Sequence, residues 1–142
     1  MNINDWHQSG RISLWRYKGN PSSFKGYHLT CSADGGTSLN QLIDLLINSE
    51  IESKRTIVLS APTKIDLLVP NCKAKAIPLK KLQISNNLSD ADAWLLKNEE
   101  NKVILSLGCN MLNKLKNGIA DISEGKGDYS IGIKNDCMWF WW

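Results

Sequence analysis

Between Leu39 and Ile47 the chain sets Leu39, Leu42, Ile43, Leu45, Leu46 and Ile47 against Asn40, Gln41, Asp44 and Asn48. At 100° per residue the apolar set spans an arc of about 200°, which predicts a helix covered by more than one element. Gly35-Gly36 breaks whatever precedes. Ser38 stands three residues before Gln41, the spacing of a capping box, so the helix is expected over about 38–48. Met111, Leu112, Leu115, Ile119 and Ile122 repeat in helical steps behind Asn110, which predicts a second helix over about 110–122. Gly118 costs about 1 kcal/mol against alanine there and marks Asn117 as an early stop.

Strand periodicity fills much of the rest. Ile12, Leu14 and Arg16 alternate with Ser13, Trp15 and Tyr17, and Tyr27 to Cys31 reads as a partner strand beyond the Lys18–Ser23 turn. Arg55 to Ser60 is a β-branched run stopped by Pro62; its lack of alternation predicts a strand covered on both faces. Thr63 can cap a short helix that Pro70 ends by Val69. Asn71 to Ile84, with Pro78 and four lysines, reads as an exposed connection with room for one short strand. Trp94–Lys97 and Lys102–Leu107 are read as a hairpin in preference to a short helix opened by Ser89. Tyr129–Ile133 and Cys137–Trp142 form a closing hairpin. The order strand, turn, strand, helix occurs over 12–47 and again over 94–122, a faint echo without enough identity to establish duplication.

Together these elements predict an α+β fold: one domain over 1–142, with 1–10 loosely ordered. Its two main helices pack on a mixed or mainly antiparallel sheet of about five to seven strands. A length of 142 residues with 42% hydrophobic and 22% charged content supports a packed core rather than a disordered chain. No apolar run is long enough to span a membrane, and Met1–Gln8 has no signal-like apolar segment, so a cytoplasmic location and no membrane partner are expected. Cys31, Cys72, Cys109 and Cys137 are widely spaced and are read as reduced thiols.

The net charge of +3 is uneven. Lys54, Arg55, Lys64, Lys73, Lys75, Lys80 and Lys81 face only Asp66 in the middle of the chain, and Asp90, Asp92, Glu99 and Glu100 follow against Lys97. Solvated faces explain both stretches. The basic segment 72–81 lacks interleaved aromatics, and a pI near 8.7 is below that of most nucleic-acid domains, so nucleic acid is a poor candidate partner.

Few residues suggest chemistry. His28 and Cys31 lie three apart on a strand and diverge, and too few further ligands exist for a zinc site. His28 with Cys31 or Cys109 is the best nucleophile pairing available; Cys109 precedes a helix N-terminus, where a thiolate is favoured. Burial as a small hydrophobe is the preferred explanation of these cysteines. Asp34-Gly35-Gly36 lacks phosphate-loop spacing. No catalytic residue, metal ligand or cofactor is therefore expected. In Trp139-Phe-Trp-Trp142 one strand face packs inward, leaving Trp139 and Trp141 either as a structural lid or as a partner surface.

The patterns Leu14-Trp-Arg-Tyr17, Gly26-Tyr-His-Leu-Thr30, Ser38-Leu-Asn-Gln-Leu42 and Arg55-Thr-Ile-Val-Leu59 are followed by Pro62-Thr63 and Val69-Pro70-Asn71. With the closing Gly127-Asp-Tyr129 and Trp139-Phe-Trp-Trp142, they resemble a group of small uncharacterised bacterial proteins. These motifs are structural and imply no activity. In size and style the chain is also similar to the immunity proteins of bacterial toxin systems, which are small cytoplasmic α+β domains. That likeness implies a non-enzymatic protein that neutralises a cognate toxin. Charge segregation makes Asp90, Asp92, Glu99 and Glu100 the acidic face that a basic toxin would want, and strand alternation adds Trp139 and Trp141 as candidate partner-binding residues. A small cysteine-dependent enzyme and a nucleic-acid accessory protein are the alternatives.

Overall fold

A computed structural model describes residues 1–142. Its elements in chain order are β1 (Ile12–Tyr17), β2 (Tyr27–Cys31), α1 (Ala33–Asn48), β3 (Lys54–Val58), α2 (Lys64–Leu68) and β4 (Ala76–Pro78). They continue with β5 (Lys81–Asn86), β6 (Trp94–Glu99), β7 (Lys102–Leu107), α3 (Cys109–Ser123), β8 (Tyr129–Ile131) and β9 (Met138–Phe140). The fold is α+β, and the strands are shared between two mixed sheets, ordered β4-β1-β2-β9-β8 and β3-β5-β7-β6. Each sheet has one parallel pair, β2 with β9 in the first and β5 with β7 in the second.

This order contains an exchange. The hairpin β1-β2 precedes α1; of the strands that follow α1, β3 and β5 join the other sheet, while the short β4 between them returns to pair with β1. The hairpin β6-β7 precedes α3, and the strands that follow α3, β8 and β9, cross back to β2. The repeated strand-turn-strand-helix order thus corresponds to two units that trade their second strand pair. The helices α1 and α3 pack on each other, and each contacts both sheets. The Ser60 N–H donates to the Ile12 carbonyl at 2.9 Å across the two sheets, while Leu59 N–H to Lys80 extends the β3-β5 ladder and Leu79 N–H to Leu14 extends the β1-β4 ladder.

One continuous apolar core joins both sheets and both helices, including Leu14, Leu29, Leu42, Leu46, Leu82, Leu105, Leu115, Ile119 and Phe140. A smaller core lies on the opposite face of the first sheet, where Trp15, Tyr17 and Trp141 are covered by Leu67, Val69, Cys72, Ala74 and Ala76. The segment after α2 therefore works as a lid over an aromatic face. Its helix starts as expected, with Thr63 accepting from the Asp66 N–H at 3.1 Å and Asp66 accepting from the Thr63 N–H at 2.8 Å.

Five local expectations are corrected. The first helix begins at Ala33 with Ser32 as its cap, so Gly35 and Gly36 lie inside it. Ser38 is buried mid-helix, where its hydroxyl accepts the Ser9 N–H at 3.0 Å. Gly35 is required because the Arg11 carbonyl oxygen would sit 2.1 Å from a Cβ there. The second helix runs through Gly118 to Ser123, because Gly118 gives room to the Phe140 ring rather than ending the helix.

Strand β3 is an edge with only Ile57 buried, not a strand covered on both faces; its β-branched run reflects propensity, not burial. Residues 81–86 are the interior strand β5, not part of an exposed connection. The first ten residues dock firmly. Trp6 is buried and donates to the Ser38 carbonyl at 2.8 Å, while the Gln8 amide pairs with both the N–H and the carbonyl of Val58. Gln8 thereby blunts the open edge of β3.

Candidate protein-binding face

The second sheet has one face packed on the helices and one uncovered. Along β5, Leu82, Ile84 and Asn86 are buried, while Lys81, Gln83 and Ser85 alternate outward. Along β7, Val103, Leu105 and Leu107 point inward and Lys102, Ile104 and Ser106 point out. Strand pairing lines these residues up in three rows across the sheet: Lys54, Ser85, Ser106, Leu95; Thr56, Gln83, Ile104, Lys97; and Val58, Lys81, Lys102, Glu99. With strands spaced by about 4.8 Å and residues by about 3.3 Å, the face is roughly 15 Å by 17 Å.

Its centre, Gln83 and Ile104, carries no charge, and every charged group lies on its perimeter. Val58 is 64% and Leu95 is 58% exposed, so apolar area reaches the surface at opposite corners. Lys97 and Glu99 form an exposed ion pair at 3.1 Å, which contributes little stability. Lys54, Lys81 and Lys102 have no ion-pair partner. A shallow cleft of about 410 Å³ lined by Lys80, Lys81, Glu99, Glu100, Asn101 and Lys102 opens at one end of the face. A second cleft of about 290 Å³, lined by Glu52, Ser53, Lys54 and Ser85, opens at the other end.

The four candidate carboxylates do not share this face. Glu99 is at its corner, and Glu100 sits in the β6-β7 turn with a left-handed backbone, φ 58°. Asp90 and Asp92 precede β6, at its far end, roughly 20 Å away along the strand. There Asp90 accepts the Asp92 N–H at 2.9 Å, and Asp92 accepts from the Asn110 side chain at 2.7 Å. The acidic stretch is thus divided: two carboxylates brace the start of α3, and two stand among lysines.

The indoles are placed differently again. Trp141 is buried at 5% exposure, and Trp139 is half-buried with its Nε1 donating to the Lys25 carbonyl at 3.0 Å. Trp139 stacks on both Trp141 and His28. They close the small aromatic core, which is the lid reading. His28 is fully buried in the same stack: its Nδ1 accepts from Trp141 Nε1 at 2.9 Å, so its Nε2–H donates to the Phe24 carbonyl at 2.9 Å. Burial lowers its pKa to about 4.

Both His28 nitrogens are engaged, and Cys31 packs toward the opposite face, against the main core. Burial pushes the Cys31 thiol up to about 11. Cys109 is exposed at the first turn of α3, on a different element from the His28 stack. The structure does not bring His28 together with either thiol.

The residues that sequence reading passed over are Lys54, Val58, Lys81, Leu95, Lys97, Lys102 and Ile104. The signal existed as the period-two alternation of Lys81–Asn86 and Lys102–Leu107, but strand order was needed to merge four strands into one surface. Comparison with protein families, curated proteins and solved structures finds no match for this chain.

Proposed function

We propose that the chain is a non-enzymatic protein-binding module, of the kind that neutralises a cognate toxin, and that it engages its partner through the uncovered face of β3-β5-β7-β6. One observation carries this reading. The face is built on paired strands and is arranged like an interface, with an uncharged centre and a charged rim. Rigid strands supply the pre-organisation that keeps the cost of association low. The engagement of both His28 nitrogens supports a contact role over thiol chemistry.

The test is co-expression with the product of the adjacent open reading frame in the source genome. A neighbour that is toxic alone, becomes harmless with the chain and elutes with it as a stoichiometric complex is the expected result. A harmless neighbour, or toxicity that the chain leaves untouched, overturns the reading.

A further inference from the structure

We propose that the partner meets this face with an acidic protein surface. This inference rests on the protein-binding reading and adds the partner's chemistry. Around the rim and its two adjoining clefts, the five lysines Lys54, Lys80, Lys81, Lys97 and Lys102 outnumber the three carboxylates Glu52, Glu99 and Glu100. Glu99 is engaged by Lys97, and Lys54, Lys81 and Lys102 form no salt bridge in the free protein. The carboxylates that would attract a basic partner, Asp90 and Asp92, lie off the face and are hydrogen-bonded locally. Rim charge of one sign steers association and excludes partners of the same sign. The aliphatic atoms of Val58, Leu95 and Ile104 then supply the dehydrated contact.

Nucleic acid shares the negative charge but fits the face poorly. Sheets that bind single strands stack bases on aromatic side chains, and none of the twelve outward residues is aromatic. A protein surface with carboxylates at its edge matches both parts of the pattern.

The experiment follows backbone amide shifts of the isotope-labelled full chain during titration with three probes: a peptide of glutamate and leucine, its lysine-for-glutamate counterpart, and an oligothymidine. The acidic peptide should shift β3, β5, β6 and β7 selectively. The double variant Lys81→Glu, Lys102→Glu should weaken it about tenfold or more, and added salt should weaken it in the wild type. The neutral pair Lys81→Gln, Lys102→Gln should give an intermediate loss and controls for folding.

Equal binding of acidic and basic peptides on this face overturns the acidic partner and leaves the protein-binding reading standing. Stronger binding by the oligothymidine overturns the protein partner. Shifts confined to other elements overturn the proposal and the face together, and self-association of the labelled chain through the face replaces the acidic partner with a second copy.

Discussion

His28 shows how one buried side chain couples the fold to pH. Its neutral ring is held between a donor, Trp141 Nε1, and an acceptor, the Phe24 carbonyl. Protonation would turn Nδ1 into a second donor facing the indole N–H, within a stack of Trp15, Trp139 and Trp141. Burial is the main cause of the fall in its pKa from 6.5 to about 4, and the Phe24 carbonyl opposes it weakly. Between these values the unfolded chain binds the proton and the native chain does not. Stability from this group is therefore complete above pH 6.5 and is lost as pH falls toward 4. The full difference is worth about 3 kcal/mol. Urea unfolding followed from neutral pH downward should show this decline, and the His28 ring resonances should titrate near the low value. A ring that titrates at the ordinary histidine value would refute the account.

At the level of elements, both long helices contain glycines that serve close approach rather than termination. In α3, a Cβ on Gly118 would lie 2.3 Å from the Phe140 ring. Alanine is the better helix former by about 1 kcal/mol, but overpacking against a fully buried ring costs about 1–3 kcal/mol. Because Phe140 is 0% exposed and held in β9, it has little room to retreat. Gly118→Ala should therefore lower the thermal midpoint despite its helix propensity, and calorimetry measures this directly. A raised midpoint would mean that the ring moves aside at little cost. The same comparison explains why a helix stop near Asn117 was a reasonable expectation: the partner of Gly118 is distant in the chain.

For the whole molecule, the exchange of strand pairs makes the two sheets interdependent. β9 lies between β2 and β8, and its residues Met138 and Phe140 fill the main core while the adjacent Trp141 fills the aromatic one. Removing residues 128–142 would strip two strands from the first sheet and also uncover α3, which supports β7 in the second. A chain of residues 1–127 should therefore lose cooperative folding throughout, not in one sheet alone. Circular dichroism and amide shift dispersion would report it. Native dispersion retained across β5, β6 and β7 would show that the second sheet is an independent unit.

Much of this protein could be read from local pattern. The two long helices, the hairpins 12–31, 94–107 and 129–140, the Thr63 cap and the α+β class all follow from periodicity and capping, which act within a few residues. The extent of α1 could not be read, because Gly35 is explained by Arg11, a neighbour only in space. Nor could the interior place of β5, since Lys81, Gln83 and Ser85 on one face resemble a loop until β3 and β7 flank it. The uncovered face was hidden for the same reason: its rows draw on four strands spread from Lys54 to Ser106, and only long-range pairing makes them neighbours. Side-chain period and local hydrogen bonding determine what each segment becomes; which segments share a surface depends on contacts between distant residues, and those exist only once the chain has folded.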